Sequence, residues 1–151
     1  MSTVRVLAVS AALLVTSPFL TAQSPRPEGS QAPSASSQVA GIAGNVERGR
    51  YLVEHVAMCN ECHSTRDASG EIIPGREYMG GNIPFTPPWP NDWAAVAPRN
   101  AGLPGYSDAA AMRLLTEGAI GRLGTRLRAP MPRFRMSQQD AADVIAFLRS
   151  R

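Results

Sequence analysis

From residue 45 onward the apolar positions fall into three runs of helical period. In the first, Gly49, Leu52, Val53 and Val56 follow the i, i+3, i+4, i+7 pattern, and Asn45 stands where a residue would cap the opening N–H groups. This predicts an amphipathic helix that runs straight into Cys59. In the last run, Ala141, Val144, Ile145 and Leu148 repeat the spacing behind Ser137, a capping residue with Asp140 three positions on. Between the two, Ser107 or Asp108 opens a third helix with Ala111, Leu114 and Leu115 on one face, and Gly118 closes it. No stretch alternates convincingly with period two, so no strand is predicted. Pro74, Pro84, Pro87, Pro88, Pro90, Pro98 and Pro104 crowd the segment between the first and third runs, which reads as long non-helical loop.

Before residue 45 the pattern changes twice. "MSTVRVLAVSAALLVTSPFLTAQS" has one positive charge at Arg5, an apolar run from Val6 to Val15 and small residues near Thr21 and Ala22, which predicts an export signal over residues 1–23. The run is short for a membrane span. Cleavage and a periplasmic location are expected; an uncleaved leader would instead anchor the protein to the inner membrane from Val4 to Leu20, the only case in which membrane contact is expected. Residues 24–44 are Pro, Ser, Ala and Gly with almost nothing to bury, and are expected to form a flexible linker. One domain over 45–151 remains.

Composition adds two constraints. A hydrophobic content of 44% with 18% charged residues is that of a globular chain. The pI of about 9.4 suggests a strongly basic protein. All fifteen basic residues are arginine, however, and without Arg5 they nearly balance the twelve acids. Nucleic-acid binding draws on a clustered excess of positive charge and is not expected here.

The chain's two cysteines both lie in "MCNECHS", residues 58–64. Cys59, Cys62 and His63 form a C-x-x-C-H signature, the mark of covalent c-type haem attachment. Two thiols one helical turn apart can add to the two vinyl groups of a haem, and the adjacent imidazole then falls beneath the iron as its proximal ligand. Competing readings each lack a part. A zinc site wants four protein ligands and only His55, back along the helix, remains to join these three. A thioredoxin-like motif needs a βαβ context. A plain disulfide, open to an exported protein, accounts for the cysteines and not for the histidine.

With "NVERGRYLV" before the motif, "IIPG" after it, "YSDAAAMRLLTEG" and the final "APMPRFRMSQQDAADVIAFLRS", the chain resembles the monohaem, class I type cytochromes c, and especially the cytochrome domains found with bacterial periplasmic dehydrogenases. The resemblance covers about residues 45–151. It implies an all-α fold, a small cytochrome c fold of three to five helices around one covalently bound haem, with long Pro-rich loops and the first and last helices crossing. Gly49 suits such a crossing, since glycine inside a helix needs a reason. The resemblance also implies that the carbonyl of Pro74 accepts the proximal imidazole N–H; the plainer role of Pro74 is a turn with Gly75.

A sixth iron ligand is sought among the methionines. Met58 lies on the proximal side and Met112 reads as core packing. Met131 stands between Pro130 and Pro132 in backbone that cannot be helical, and matches the "PMP" ligand loop of the similar family. Met79 and Met136 stay open as alternatives. The expected metal ligands are therefore His63 and Met131, and no catalytic residue is expected.

Arg122, Arg126, Arg128, Arg133 and Arg135 surround Met131 with no acid between Gly118 and Gln139. They read either as a positive rim that steers an acidic redox partner or as a solvated surface with one arginine on a haem propionate. Trp89, Trp93 and Asn100 are further candidates for the propionates. The function expected is that of a single-electron carrier and not an enzyme. The rivals are a haem enzyme or gas sensor with an open distal site, and an electron-transfer subunit of a larger dehydrogenase or oxidase complex.

Overall fold

The structure, a computed structural model, describes residues 36–118, 120–121 and 124–151. The expected export signal over 1–23, the first part of the linker and Arg122 lie outside the described residues. Among those described, no helix is long and apolar enough to cross a membrane.

The rest of the expected linker is folded. Ser36–Val39 (β1) and Ile42–Asn45 (β2) pair antiparallel, with Val39 opposite Ile42. Ala40 and Gly41 turn between them with φ of 49° and 85°, the double positive φ that two-residue hairpins favour. Small residues that bury little on their own are what let this hairpin lie flat on the last helix. A Cβ on Gly44 would stand 2.6 Å from the Ala142 carbonyl oxygen, and Val39 is only 1% exposed.

Asn45 caps Val46–Tyr51 (α1), its side-chain oxygen accepting from Arg48 N at 2.9 Å. The helix does not run straight into Cys59. It widens into a π-helical turn over Leu52–Val56, where Ala57 N donates to Leu52 O at 2.7 Å, and stops at Met58, whose φ is +50°. The chain then restarts in a new direction as the single helical turn Cys59–His63 (α2). Asp108–Glu117 (α3) and Gln138–Arg149 (α4) begin at the expected caps, Ser107 accepting from Ala110 N and Ser137 from Asp140 N. Gly118 ends α3 with φ +67°.

α4 is the centre of the core. Every residue from Ala141 to Leu148 is buried, not only the predicted stripe, because the hairpin and α1 cover the side that periodicity would leave wet. The expectation of an all-α fold is overturned. Among the described residues four helices stand beside two small antiparallel sheets, β1–β2 and the pair Gly81–Asn82 (β3) with Val96–Ala97 (β4), in which Gly81 faces Ala97. Strands of only two to four residues, rich in Ser, Gly, Asn and Ala, are too short to carry a period-two signal.

Candidate functional site

α2 places Cys59, Cys62 and His63 on the wall of a cavity of about 500 Å³. That volume lies within the roughly 300–1,000 Å³ typical of cofactor and ligand pockets. Leu115 of α3 and Val144 and Leu148 of α4 supply apolar wall, Val96 approaches from β4, and Phe85, Met131 and Phe134 approach from the loops. The reversal at Met58 is what turns this short helix so that its last residue points inward.

Cys59 and Cys62 stand one turn apart as free thiols. Burial pushes the Cys59 thiol up to about 11. Cys62 is also raised, by burial and then by the charge of Glu61, with Arg66 opposing. Both sulfurs are therefore protonated near neutral pH. His63 is 9% exposed and its Nδ1 lies 2.6 Å from Pro98 O. A carbonyl oxygen only accepts, so Nδ1–H donates and Nε2 keeps its lone pair. Burial lowers the His63 pKa, partly offset by the Pro98 bond, and the ring is held neutral. A neutral imidazole with one nitrogen committed and the other a free donor is how metal-ligating histidines are prepared.

The carbonyl on His63 belongs to Pro98 and not to Pro74. Pro74 is exposed in a turn with Gly75, where Arg76 N donates to Ile73 O, and takes no part in the cavity. Pro74 is what the resemblance implied; the choice of Pro98 depends on how the segment after β4 returns past α2, which no local pattern reveals. Met131 does line the cavity, whereas Met79 and Met136 are not on its wall. Met136 and Met112 pack against the core cluster. Trp89 is exposed away from the cavity, while Asn100 lines it.

Two buried polar atoms beside this site lack a partner, Trp93 Nε1 and Asn100 Oδ1. Trp93 stacks edge-on with the wall residue Phe85, ring centroids 5.8 Å apart. Arg99, Arg126 and Arg128 also line the cavity. Among the described residues no three His, Cys, Asp or Glu side chains converge as a cage for a metal ion. The donor set is one imidazole, two thiols and the thioethers of Met58 and Met131 around an apolar space with cationic and polar groups at its edge. It fits a flat, largely apolar macrocycle with two carboxylates.

No family model matches the chain. A stretch of 61 residues is 39% identical to part of a Cereibacter sphaeroides protein named diheme cytochrome c-type, covering 36% of this chain. The match spans 21% of that protein, about a fifth of its length.

Proposed function

We propose that this chain is a cytochrome c-type haem protein that carries single electrons. The observation that carries the reading is the convergence of Cys59, Cys62 and His63 on one apolar cavity, with His63 Nδ1 already committed to Pro98 O. Similarity to a protein named as a cytochrome c-type supports it. That relative's name specifies two haems, whereas the two cysteines here are the number that one haem attachment uses.

In this reading each thiol adds across a vinyl group, its sulfur bonding one carbon and its proton going to the other, so attachment consumes no oxidant. A bound haem supplies an iron that holds and releases one electron with no other bond made or broken. His63, through Nε2, and Met131, through its thioether, are the residues that would hold the iron. The unpartnered indole N–H of Trp93 and the wall residue Arg99 suit the two carboxylates at the cavity edge. Export to the periplasm belongs to the same proposal and rests on the leader-like sequence of residues 1–23.

The mouth of the cavity suits a redox partner with an acidic face. Met58, Phe85 and Val96 line the cavity and are 53%, 54% and 59% exposed, an apolar centre for docking. Among the described residues, the arginines paired with carboxylates are Arg48, Arg50, Arg66 and Arg149. Arg126, Arg128 and Arg133 have no such pairing. Arg128 donates only to the carbonyls of Asp92 and Trp93, so its charge stays uncompensated.

The test is the visible spectrum of the reduced protein, matured with haem-attachment machinery, before and after carbon monoxide. A c-type spectrum that the gas leaves unchanged is expected, with Met131→Ala admitting the gas. A spectrum that shifts in the wild type would replace the carrier by an enzyme or sensor with an open distal site.

A further inference from the structure

The small sheet β3–β4 lies behind His63, and the segment Tyr78–Gly81 that leads into it is wedged between two stretches of backbone. Toward α2, Gly80 N donates to His63 O at 2.7 Å and Tyr78 N to Ser64 Oγ at 3.1 Å. Thr65 Oγ1 donates to Gly80 O at 2.8 Å. Toward the chain after β4, Tyr78 O accepts from Asn100 N and Ala101 N, both at 3.0 Å, and Gly81 pairs with Ala97. The segment is thus bonded on one side to the residue that offers the imidazole and on the other to the residues flanking Pro98.

No space is left in this wedge. A Cβ on Gly80 would stand 2.8 Å from Arg99 N, 2.9 Å from Ala97 O and 3.0 Å from Pro98 C; one on Gly81 would stand 2.2 Å from Ser64 O. These are backbone atoms, which cannot swing aside as a flexible side chain does. Gly80 is a spacer one main chain thick, and the 2.6 Å separation of His63 Nδ1 and Pro98 O is fixed across it.

We propose that Gly80 is a positioning residue: it sets the strength of the His63–Pro98 hydrogen bond and through it the reduction potential of the bound haem. The inference rests on the haem reading above. A strong bond from the ring N–H makes the opposite nitrogen a better donor. A better donor favours oxidised iron, so loosening the bond raises the potential. A methyl group on Gly80 pushes Ala97–Arg99 outward, and Pro98 O with it.

A control is built into the same loop. Gly75 has nearly the same positive φ as Gly80, +78° against +85°, but a Cβ there meets nothing within 4 Å. Gly75→Ala introduces comparable backbone strain and displaces no neighbour. Thr65→Val keeps the side-chain shape and deletes only the bond to Gly80 O.

The experiment is a spectroelectrochemical titration of the full-length, haem-loaded protein and these three variants, with covalent haem content read from each spectrum. A raised potential is expected in Gly80→Ala, a smaller rise in Thr65→Val, and the wild-type value in Gly75→Ala. Equal potentials in Gly80→Ala and Gly75→Ala would overturn the inference while leaving the haem reading intact. If Gly80→Ala does not load, Thr65→Val decides alone, and a wild-type potential there overturns it. A wild type without covalent haem would overturn both.

Discussion

Gly49 on α1 lies directly against the main chain of Asp143 on α4. A Cβ in place of its hydrogen would stand 2.0 Å from the Asp143 carbonyl oxygen and 2.8 Å from Phe147 Cβ. The Asp143 carboxylate fastens the same crossing. Its Oδ1 accepts from Asn45 N at 2.8 Å and Gln139 Nε2 at 2.9 Å, and its Oδ2 lies 3.0 Å from Arg48 Nε, an attraction without the alignment of a hydrogen bond.

Gly49→Ala should therefore destabilise the fold although alanine is the better helix former by about 1 kcal/mol. Overpacking typically costs about 1–3 kcal/mol and more where backbone must move. A net loss of at least about 2 kcal/mol is expected in urea denaturation. A variant as stable as the wild type would mean that the helices have room to separate.

Alkaline pH should loosen the protein through Tyr78. Its ring is buried edge-on to Phe147, and its hydroxyl donates to Glu54 Oε1 at 3.1 Å. Burial, followed by the bond to Glu54 and its charge, holds the phenol pKa above the ordinary value of 10. Above that pH the unfolded chain releases a proton that the folded chain keeps, so the unfolded state binds fewer protons. Stability is then full below pH 10 and falls as pH rises, by up to about 1.4 kcal/mol per unit. Tyr78→Phe should lose roughly 1 kcal/mol at pH 8 with its hydrogen bond but lack this extra slope. Urea midpoints from pH 8 to 11 measure both, and parallel curves would refute the assignment to Tyr78.

The uncompensated arginines make a kinetic prediction. At low salt, haem-loaded protein should react faster with an anionic inorganic redox complex than with a cationic one of similar potential, and added salt should erase the difference. Arg126→Gln with Arg133→Gln should slow the anionic reaction severalfold, within the roughly 10–10³ that electrostatic steering supplies. Stopped-flow rates against ionic strength are the measurement. A salt-independent rate would reduce these side chains to a solvated surface.

What could be read from the sequence was local chemistry. Asn45, Ser107, Gly118 and Ser137 mark helix ends because a cap is decided by the residue itself and the few N–H or C=O groups beside it. Cys59, Cys62 and His63 are legible for the same reason: one turn of helix fixes their spacing. Features decided at a distance were not legible. Residues 38–44 read as linker since their mostly small side chains matter only against α4. Pro98 could not be preferred to Pro74, because a backbone carbonyl is common to every residue and only the path of the β3–β4 pair brings this one to the imidazole. The π-helical turn before Met58 likewise has no signal in the apolar spacing, and it leaves Val56 exposed while Gly49, Leu52 and Val53 are buried.

The chain order of these parts also orders them in time. Asn45 and Asp143, joined by a hydrogen bond, stand 98 positions apart, and α4 supplies Val144 and Leu148 to the cavity wall. Contacts so distant close slowly beside the formation of one helical turn. A chain that emerges N-terminus first thus exposes its cysteines and histidine before α4 exists to complete the cavity wall. In the finished fold His63 is buried and Cys59 half-buried. Thiol chemistry comes first in such a scheme, and closure of the core seals its result.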